Sequence, residues 1–332
     1  MTDIYYGADL TEDVRREINS CAMVVTDGNV AELYSDLCDG AFVIESGEGS
    51  KCVDTLFSVI AEMLRRGLSR TDTVCALGGG VVGDVTGLAA ALYKRGIDWV
   101  SVPTTLLAMV DSGQGGKTGI DLGGIKNAVG TFHRPKSEYV SYKFLDTLPP
   151  REWLCGLGET VKTCVLTHDS YTLLKDNFYL LKAHDRSAVY KLIENCFEIK
   201  RAVVAADPKD AGMRKILNVG HTVGHALESA DGYKLSHGEY VLKGMLTELA
   251  MCKDIVDKRF YAELTGMLTE LVRPPRTTGG SVLKYALNDK KNVGNMITIM
   301  LPVSGGEINE VRLDSTDFLS RYDNALKEFK RA

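Results

Sequence analysis

Three of the chain's six histidines fall between residues 221 and 237, among glycines and carboxylates. In Leu217-Asn218-Val219-Gly220-His221-Thr222-Val223-Gly224-His225-Ala226-Leu227-Glu228, helical spacing puts His221, His225 and Glu228 on one face. Imidazole nitrogens beside a carboxylate suit a divalent metal or acid–base work, and Zn²⁺ is the natural occupant of such a donor set. Small residues next to both histidines let a ligand approach closely. His237 follows sixteen residues after His221, in Ser236-His237-Gly238-Glu239, where another apolar helix opens. A lone helical histidine is usually structural; three grouped with glycines favour a metal site. Spacing leaves the carboxylate donor open among Glu159, Glu228 and Glu239.

A second constellation is Gly78-Gly79-Gly80-Val81-Val82-Gly83, which satisfies the G-x-G-x-x-G pattern after a predicted strand and at the start of a predicted helix. There backbone amides can approach a pyrophosphate, although a tight turn without ligand has the same pattern. It is not an ordinary dinucleotide fingerprint: the strand before it is the third predicted, and Asp98 precedes the next strand instead of ending it. Asp27 after the first predicted strand, and Glu48 with Lys51 after the second, are better placed to meet ribose and phosphate, or are solvated turn residues.

Asp111-Ser112-Gly113-Gln114-Gly115-Gly116-Lys117-Thr118 ends like a Walker A loop but has Asp111 in place of its first glycine, which argues against a P-loop NTPase. Lys117, and Lys126-Asn127 after a second Gly-Gly, read as lysines delivered to an anion on tight loops, or as surface lysines.

The elements that must position these residues divide the chain. Apolar, β-branched runs at Met23 to Thr26, Ala41 to Glu45, Thr73 to Leu77, Trp99 to Val102 and Tyr139 to Ser141 alternate with amphipathic stretches, notably Cys52 to Arg66 and Asp84 to Tyr93. That alternation predicts parallel strands joined by helices in an α/β nucleotide-binding domain over residues 1–150. Pro149-Pro150 marks the junction. Residues 151–332 read as mainly helical, with a late extended run at Met296 to Leu301.

Composition narrows the partners. A net charge of −5 opposes a nucleic acid partner while leaving a focused anion site possible. No apolar run reaches membrane-spanning length, and the acidic, unpatterned start does not read as a signal peptide, so a soluble cytoplasmic protein is expected. The eight cysteines are scattered without a Cys-x-x-Cys and read as buried, reduced thiols that bind no metal.

Taken together, these stretches resemble the 3-dehydroquinate synthases, within the wider group of sugar phosphate cyclases, along nearly the whole chain. The matching segments are Gly47-Glu48 with Lys51, Gly78 to Asp84, Tyr93-Lys94-Arg95-Gly96, Val102 to Leu107, Asp111 with Gly115 to Thr118, and Lys126-Asn127. They continue through Leu148 to Glu152, Gly158-Glu159-Thr160-Val161-Lys162, Arg214 to Glu228, His237-Gly238-Glu239 and Asp289-Lys290-Lys291. The resemblance implies a Rossmann-like NAD-binding domain followed by a mainly α-helical metal- and substrate-binding domain. It implies Zn²⁺ or Co²⁺ on Glu159, His221 and His237, with His225 near the substrate and not on the metal. NAD is expected against Asp27, Glu48, Lys51, Gly80, Val81, Val82, Gly83, Asp84, Thr104, Thr105, Asp111, Lys126, Phe144 and Thr147.

By the same resemblance Lys117, Asn127, Arg214, Asn218 and one of Lys290 and Lys291 grip a sugar phosphate's phosphate and carboxylate, and Asp111, Lys126, Lys162 and His225 surround the reacting end. Arg95 is expected to reach in from the partner subunit of a homodimer. The implied reaction is transient oxidation by NAD of the C5 hydroxyl of 3-deoxy-D-arabino-heptulosonate 7-phosphate, loss of phosphate, return of the hydride and aldol ring closure. Two departures stand out: Gly113-Gln114 where the family commonly has Ser and a small apolar residue, and Gly158 where alanine is usual. The alternatives are a cyclase of the 2-deoxy-scyllo-inosose or valiolone type, a metal-dependent polyol dehydrogenase that releases NADH, and a catalytically silent binding protein. The full set of basic residues favours the dehydroquinate reaction.

Overall fold

In a computed structural model of the chain, residues 2–111, 115–207, 212–287 and 296–331 are described. They form two compact units, Met1–Pro149 and Pro150–Ala332.

The first unit runs β1 (Asp3–Gly7), α1 (Thr11–Ser20), β2 (Met23–Asp27), α2 (Gly28–Leu33), β3 (Phe42–Ile44), α3 (Val53–Arg65), β4 (Thr73–Gly78) and α4 (Gly80–Leu92). It continues β5 (Asp98–Pro103), α5 (Leu106–Asp111), β6 (Lys117–Leu122), β7 (Ile125–Phe132) and β8 (Ser137–Ser141). Six strands make one parallel sheet in the order β1-β8-β5-β4-β2-β3. Parallel strands covered on both faces need continuous apolar runs, and Val74 to Leu77 on β4 are all buried. On α3, Leu56, Val59 and Met63 form the stripe that seats it on this core.

The glycine-rich helix begins at Gly80 instead of Asp84: its first turn holds because Val82 is buried in the sheet core, against the low helix propensity of glycine. Two further elements differ from expectation. β1 adds a strand at the sheet edge, pairing with β8. Lys117, Lys126 and Asn127 stand not on loops but on the antiparallel hairpin β6–β7, closed by Gly123-Gly124. Among the cysteines, Cys75, Cys155, Cys164, Cys196 and Cys252 are buried, while Cys21, Cys38 and Cys52 are partly exposed; all eight are free.

The second unit comprises α6 (Pro150–Cys164), α7 (His168–Lys182), α8 (Arg186–Ala206), α9 (His221–Ala230), α10 (His237–Met251), α11 (Lys258–Leu271) and α12 (Gly279–Ala286). An antiparallel hairpin, β9 (Ile297–Ser304) with β10 (Glu307–Leu313), precedes α13 (Ser315–Phe329). The late extended run is therefore half of a hairpin. Twelve of the fifteen residues of α10 are buried, so this helix is the axis of the unit. Among the described residues no helix is long and apolar enough to cross a membrane.

Candidate active site

Both α9 and α10 begin on a histidine, His221 and His237. The Nε2 atoms of the two rings each lie 3.5 Å from Oε1 of Glu159 on α6. Close contact of helix backbones produces this convergence. A Cβ on Gly158 would stand 2.3 Å from the carbonyl oxygen of Gly238, and one on Gly238 would stand 1.8 Å from that of Cys155. Glu159 and His237 are the chain neighbours of that glycine pair, so the contact between α6 and α10 sets their separation. The Gly158 departure from the family pattern lies at this contact.

The other ring nitrogens are committed. His221 Nδ1 donates to the Val219 carbonyl at 3.0 Å, and His237 Nδ1 faces Glu228 Oε2 at 3.4 Å. Each ring thus turns its Nε2 toward Glu159, the orientation that metal-ligating histidines adopt. Two bonds of about 2.1 Å at a tetrahedral angle hold donor atoms about 3.4 Å apart, close to what is seen here. Glu159 is 1% exposed, and neither of its oxygens has a well-formed hydrogen bond; Lys162 Nζ supplies an ion pair at 2.5 Å.

Burial opposes every charge in this cluster. It pushes the Glu159 carboxyl up, but the Lys162 ammonium and the two histidines hold it well below the carboxylate range. It drives His221 well below the ordinary imidazole value against the pull of Glu159. Burial also works against charge on His237, yet Glu159 and Glu228 together keep that ring at about 9. An anionic oxygen and two oriented imidazoles, one kept neutral, fit a divalent cation.

The three histidines make an overlapping cluster, their ligand atoms lying within 4.8 Å of one another. In the Glu159 set, by contrast, both Nε2 atoms converge on one buried oxygen and both Nδ1 atoms are oriented. His225 is exposed, with its ring centroid 5.0 Å from that of His221 and 5.5 Å from that of His237. Of the other two carboxylates left open by spacing, Glu228 faces Nδ1 of His237, and Glu239 accepts from Ser236 in the capping box of α10.

Arg214 precedes this cluster in the turn leading into α9. It is 4% exposed, and its Nε and Nη1 have no hydrogen-bond partner among the described residues. The Asp207 carboxylate fixes the turn by accepting from the backbone nitrogens of Gly212 and Arg214. A buried guanidinium with unused donors is a ready receptor for phosphate or carboxylate. Asn218 Nδ2 donates to the Lys215 carbonyl. Lys200, buried on α8, is a further cation that the motifs did not single out, because it belongs to an ordinary amphipathic helix without a glycine or histidine pattern. Lys290 and Lys291, and the Gly113-Gln114 departure, lie outside the described residues.

In the first unit the residues expected at NAD gather at the carboxyl ends of successive strands, where open α/β sheets bind ligands. Asp27 ends β2, Glu48 and Lys51 follow β3, Gly80 to Asp84 follow β4, Thr104 and Thr105 follow β5, and Phe144 and Thr147 follow β8. Several pair with each other. Lys51 Nζ lies 2.5 Å from Asp84 Oδ2, and Lys126 Nζ lies 3.7 Å from Glu48 Oε1. Tyr34 donates to or accepts from Thr147 Oγ1 at 2.6 Å and sets its ring edge-on to Phe144. Asp27 Oδ1 accepts from the amides of Asn29 and Val30 and from Ser46, so it caps α2. Burial raises the Asp84 carboxyl, against the pull of Lys51.

A pocket beside the glycine-rich turn is lined by Gly79, Gly83, Asp84, Ser101 and Lys117. Beyond it, Asp121 accepts from the Asn127 amide at 2.7 Å, while its own amide donates to the Lys51 carbonyl, which ties the hairpin to the Lys51 turn. Asp111 ends α5. Arg95 does not join this group: it is exposed after the far end of α4, roughly 20 Å of helix from Gly80. Lys94 and Arg95 have φ of 48° and 67°, a strained run continued by Gly96.

Family models described as the N-terminal and C-terminal parts of 3-dehydroquinate synthase match residues 41–155 and 156–292. A 3-dehydroquinate synthase from Alkaliphilus metalliredigens is 37% identical, the match covering 93% of this chain and 92% of the relative. One from Symbiobacterium thermophilum is 39% identical, covering 92% of each. Among solved structures, a 2-epi-5-epi-valiolone synthase from Streptomyces hygroscopicus with NAD⁺ and Zn²⁺ bound superposes with a TM-score of 0.89 at 24% identity, over 99% of this chain and 97% of that one. That likeness shows a shared fold.

Proposed function

The chain belongs to the 3-dehydroquinate synthase family, and we propose that it converts 3-deoxy-D-arabino-heptulosonate 7-phosphate to 3-dehydroquinate and phosphate with NAD and a divalent metal, Zn²⁺ or Co²⁺. The observation that carries this reading is the convergence of two oriented Nε2 atoms on the buried Glu159 carboxylate. A metal held by Glu159, His221 and His237 would supply Lewis acidity, and NAD held at the β4–α4 turn would supply reversible hydride chemistry.

The chain's own residues bind, orient and move protons. The amides of Gly80 to Gly83 and the ends of β2, β3, β5 and β8 hold the dinucleotide. Lys117 and Asn127 on the hairpin are the substrate-anion residues of the first unit, and Arg214, Asn218 and a lysine at 290 or 291 are those of the second. Lys162 keeps Glu159 ionised at 2.5 Å and, with His225, serves the reacting end from the second unit, as Asp111 and Lys126 do from the first. Preorganised charges of this kind strengthen as charge develops on the substrate, which is where such a site lowers the barrier. Arg95, exposed and fixed by a left-handed backbone, serves the site of a second copy in a homodimer.

The test is phosphate release from the heptulosonate phosphate, with and without a chelator, while absorbance of NADH is followed. Expected are phosphate release that the chelator abolishes, 3-dehydroquinate as product and no lasting NADH. Accumulating NADH would mark a dehydrogenase, and phosphate release that survives complete metal removal would reject the metal role.

A further inference from the structure

The helices that carry the two histidine ligands each use a carboxylate of the other. Gly220, the residue before α9, has no side chain to cap the helix that His221 begins. Glu248, fully buried on α10, does so instead: its two oxygens accept from the amides of Gly220 at 3.0 Å and Val223 at 2.9 Å. In the reverse direction Glu228, two turns beyond His221 on α9 and 4% exposed, faces Nδ1 of His237 at the start of α10. The helices approach closely enough for this because a Cβ on Gly244 would stand 2.0 Å from the Gly220 carbonyl oxygen.

We propose that Glu228 is a positioning residue of the metal site: it fixes the tautomer and orientation of His237 without itself touching the metal. This rests on the metal assignment to Glu159, His221 and His237. The physical case is that an imidazole can present Nε2 to a metal in one ring orientation only if Nδ1–H has an acceptor in the matching place. His221 finds that acceptor in its own preceding turn, at the Val219 carbonyl. For His237, the first residue of its helix, the side chain facing Nδ1 comes from α9. A carboxylate also adds charge that makes the ring a stronger donor toward a cation.

The test measures zinc dissociation constants of the full-length apo-protein by competition with a chromophoric chelator. Glu228→Ala is expected to weaken zinc binding about 10- to 100-fold, as loss of such an outer partner generally does. Glu228→Gln keeps an oxygen acceptor for Nδ1–H and is expected to recover most of that loss, whereas a purely steric role would be served equally by Glu228→Met. Equal zinc affinity in the Ala, Met and Gln variants would overturn the proposal. In the zinc-loaded native protein, ¹⁵N NMR of His237 is expected to show the proton on Nδ1, and a proton on Nε2 would overturn it whether or not any variant folds. His237→Ala keeps the two readings apart: if it binds zinc as the native protein does, the ligand assignment itself is wrong.

Discussion

Glycines stand beside functional residues in both units, and they face different things. At Gly83, in the first turns of α4, no atom of a described residue beyond its chain neighbours and its own helix backbone lies within 4 Å of where a Cβ would be. At Gly238 that position is occupied by the backbone of another helix, 1.8 Å away. In the first unit the missing side chain leaves room for a ligand; in the second it leaves room for α6 and α10 to touch. The charges divide the same way. Lys51 and Lys126 of the first unit are paired with Asp84 and Glu48, whereas Arg214 of the second is buried without a hydrogen-bond partner for two of its nitrogens among the described residues. A ligand-ready surface can thus be built from open backbone or from unspent side-chain donors, and the two respond oppositely to substitution.

The sharpest way to break this comparison is Gly238→Ala. Its methyl would meet a helix backbone and not a flexible side chain, so the helices must part and carry His237 away from Glu159. A loss of about 3 kcal/mol or more of stability is expected, as for severe overpacking, with weaker zinc binding. Thermal unfolding and chelator competition measure both, and an unchanged midpoint with unchanged zinc affinity would show that the glycine contact does not set the site.

Lys51→Met comes next. It leaves Asp84 without its cation, and a half-sheltered carboxylate stripped of its partner is expected to cost roughly 1–3 kcal/mol, below the range for fully buried pairs because the Asp84 side chain is 29% exposed. Lys126→Met, at the longer and more exposed pair with Glu48, is expected to change the unfolding free energy measured by denaturant by less than about 1 kcal/mol. If the two substitutions cost the same, the Lys51–Asp84 pair is not the brace of the β3 and β4 turns.

Arg214→Met should move stability the other way. Removing a buried charge with unused donors while keeping its bulk is expected to raise the unfolding free energy of the ligand-free protein by about 1 kcal/mol. The same change should remove most of the protection that inorganic phosphate or the heptulosonate phosphate gives against unfolding. A variant that is less stable yet still protected by phosphate would mean that Arg214 is a structural cation.

How much of this was legible in the chain depends on how local each signal is. The parallel strands were, because runs such as Val74-Cys75-Ala76-Leu77 must be buried on both faces. The hairpin β6–β7 was not: its Gly123-Gly124 turn between strand-like runs is a hairpin signal, but the lysines and glycines around it also suit a phosphate loop. Helical spacing correctly put His221, His225 and Glu228 on one face, yet it could not say that Glu228 would meet His237. That contact depends on how α9 crosses α10, which residues sixteen apart do not encode. Glu248 gave no signal at all, since an acidic residue in a helix is usually solvated, and its capping of α9 at Gly220 and Val223 is set by the crossing of the helices.

Gly83→Ala has the smallest expected effect on stability and bears most directly on the first unit. Gly83 lies inside α4, where alanine is favoured over glycine by up to about 1 kcal/mol, and among the described residues outside that helix turn the added methyl has no neighbour within 4 Å to strain. The ligand-free protein should therefore be as stable or slightly more so. If the open space is where the NAD pyrophosphate meets the first turn of α4, the methyl intrudes on the ligand alone. The expected result is weaker NAD binding by calorimetry with zinc affinity unchanged, the reverse of what Gly238→Ala does to the metal site. Unaltered NAD affinity would mean that the cofactor's phosphates lie elsewhere along the carboxyl ends of the sheet, and the glycine-rich turn would be a close-packed bend and nothing more.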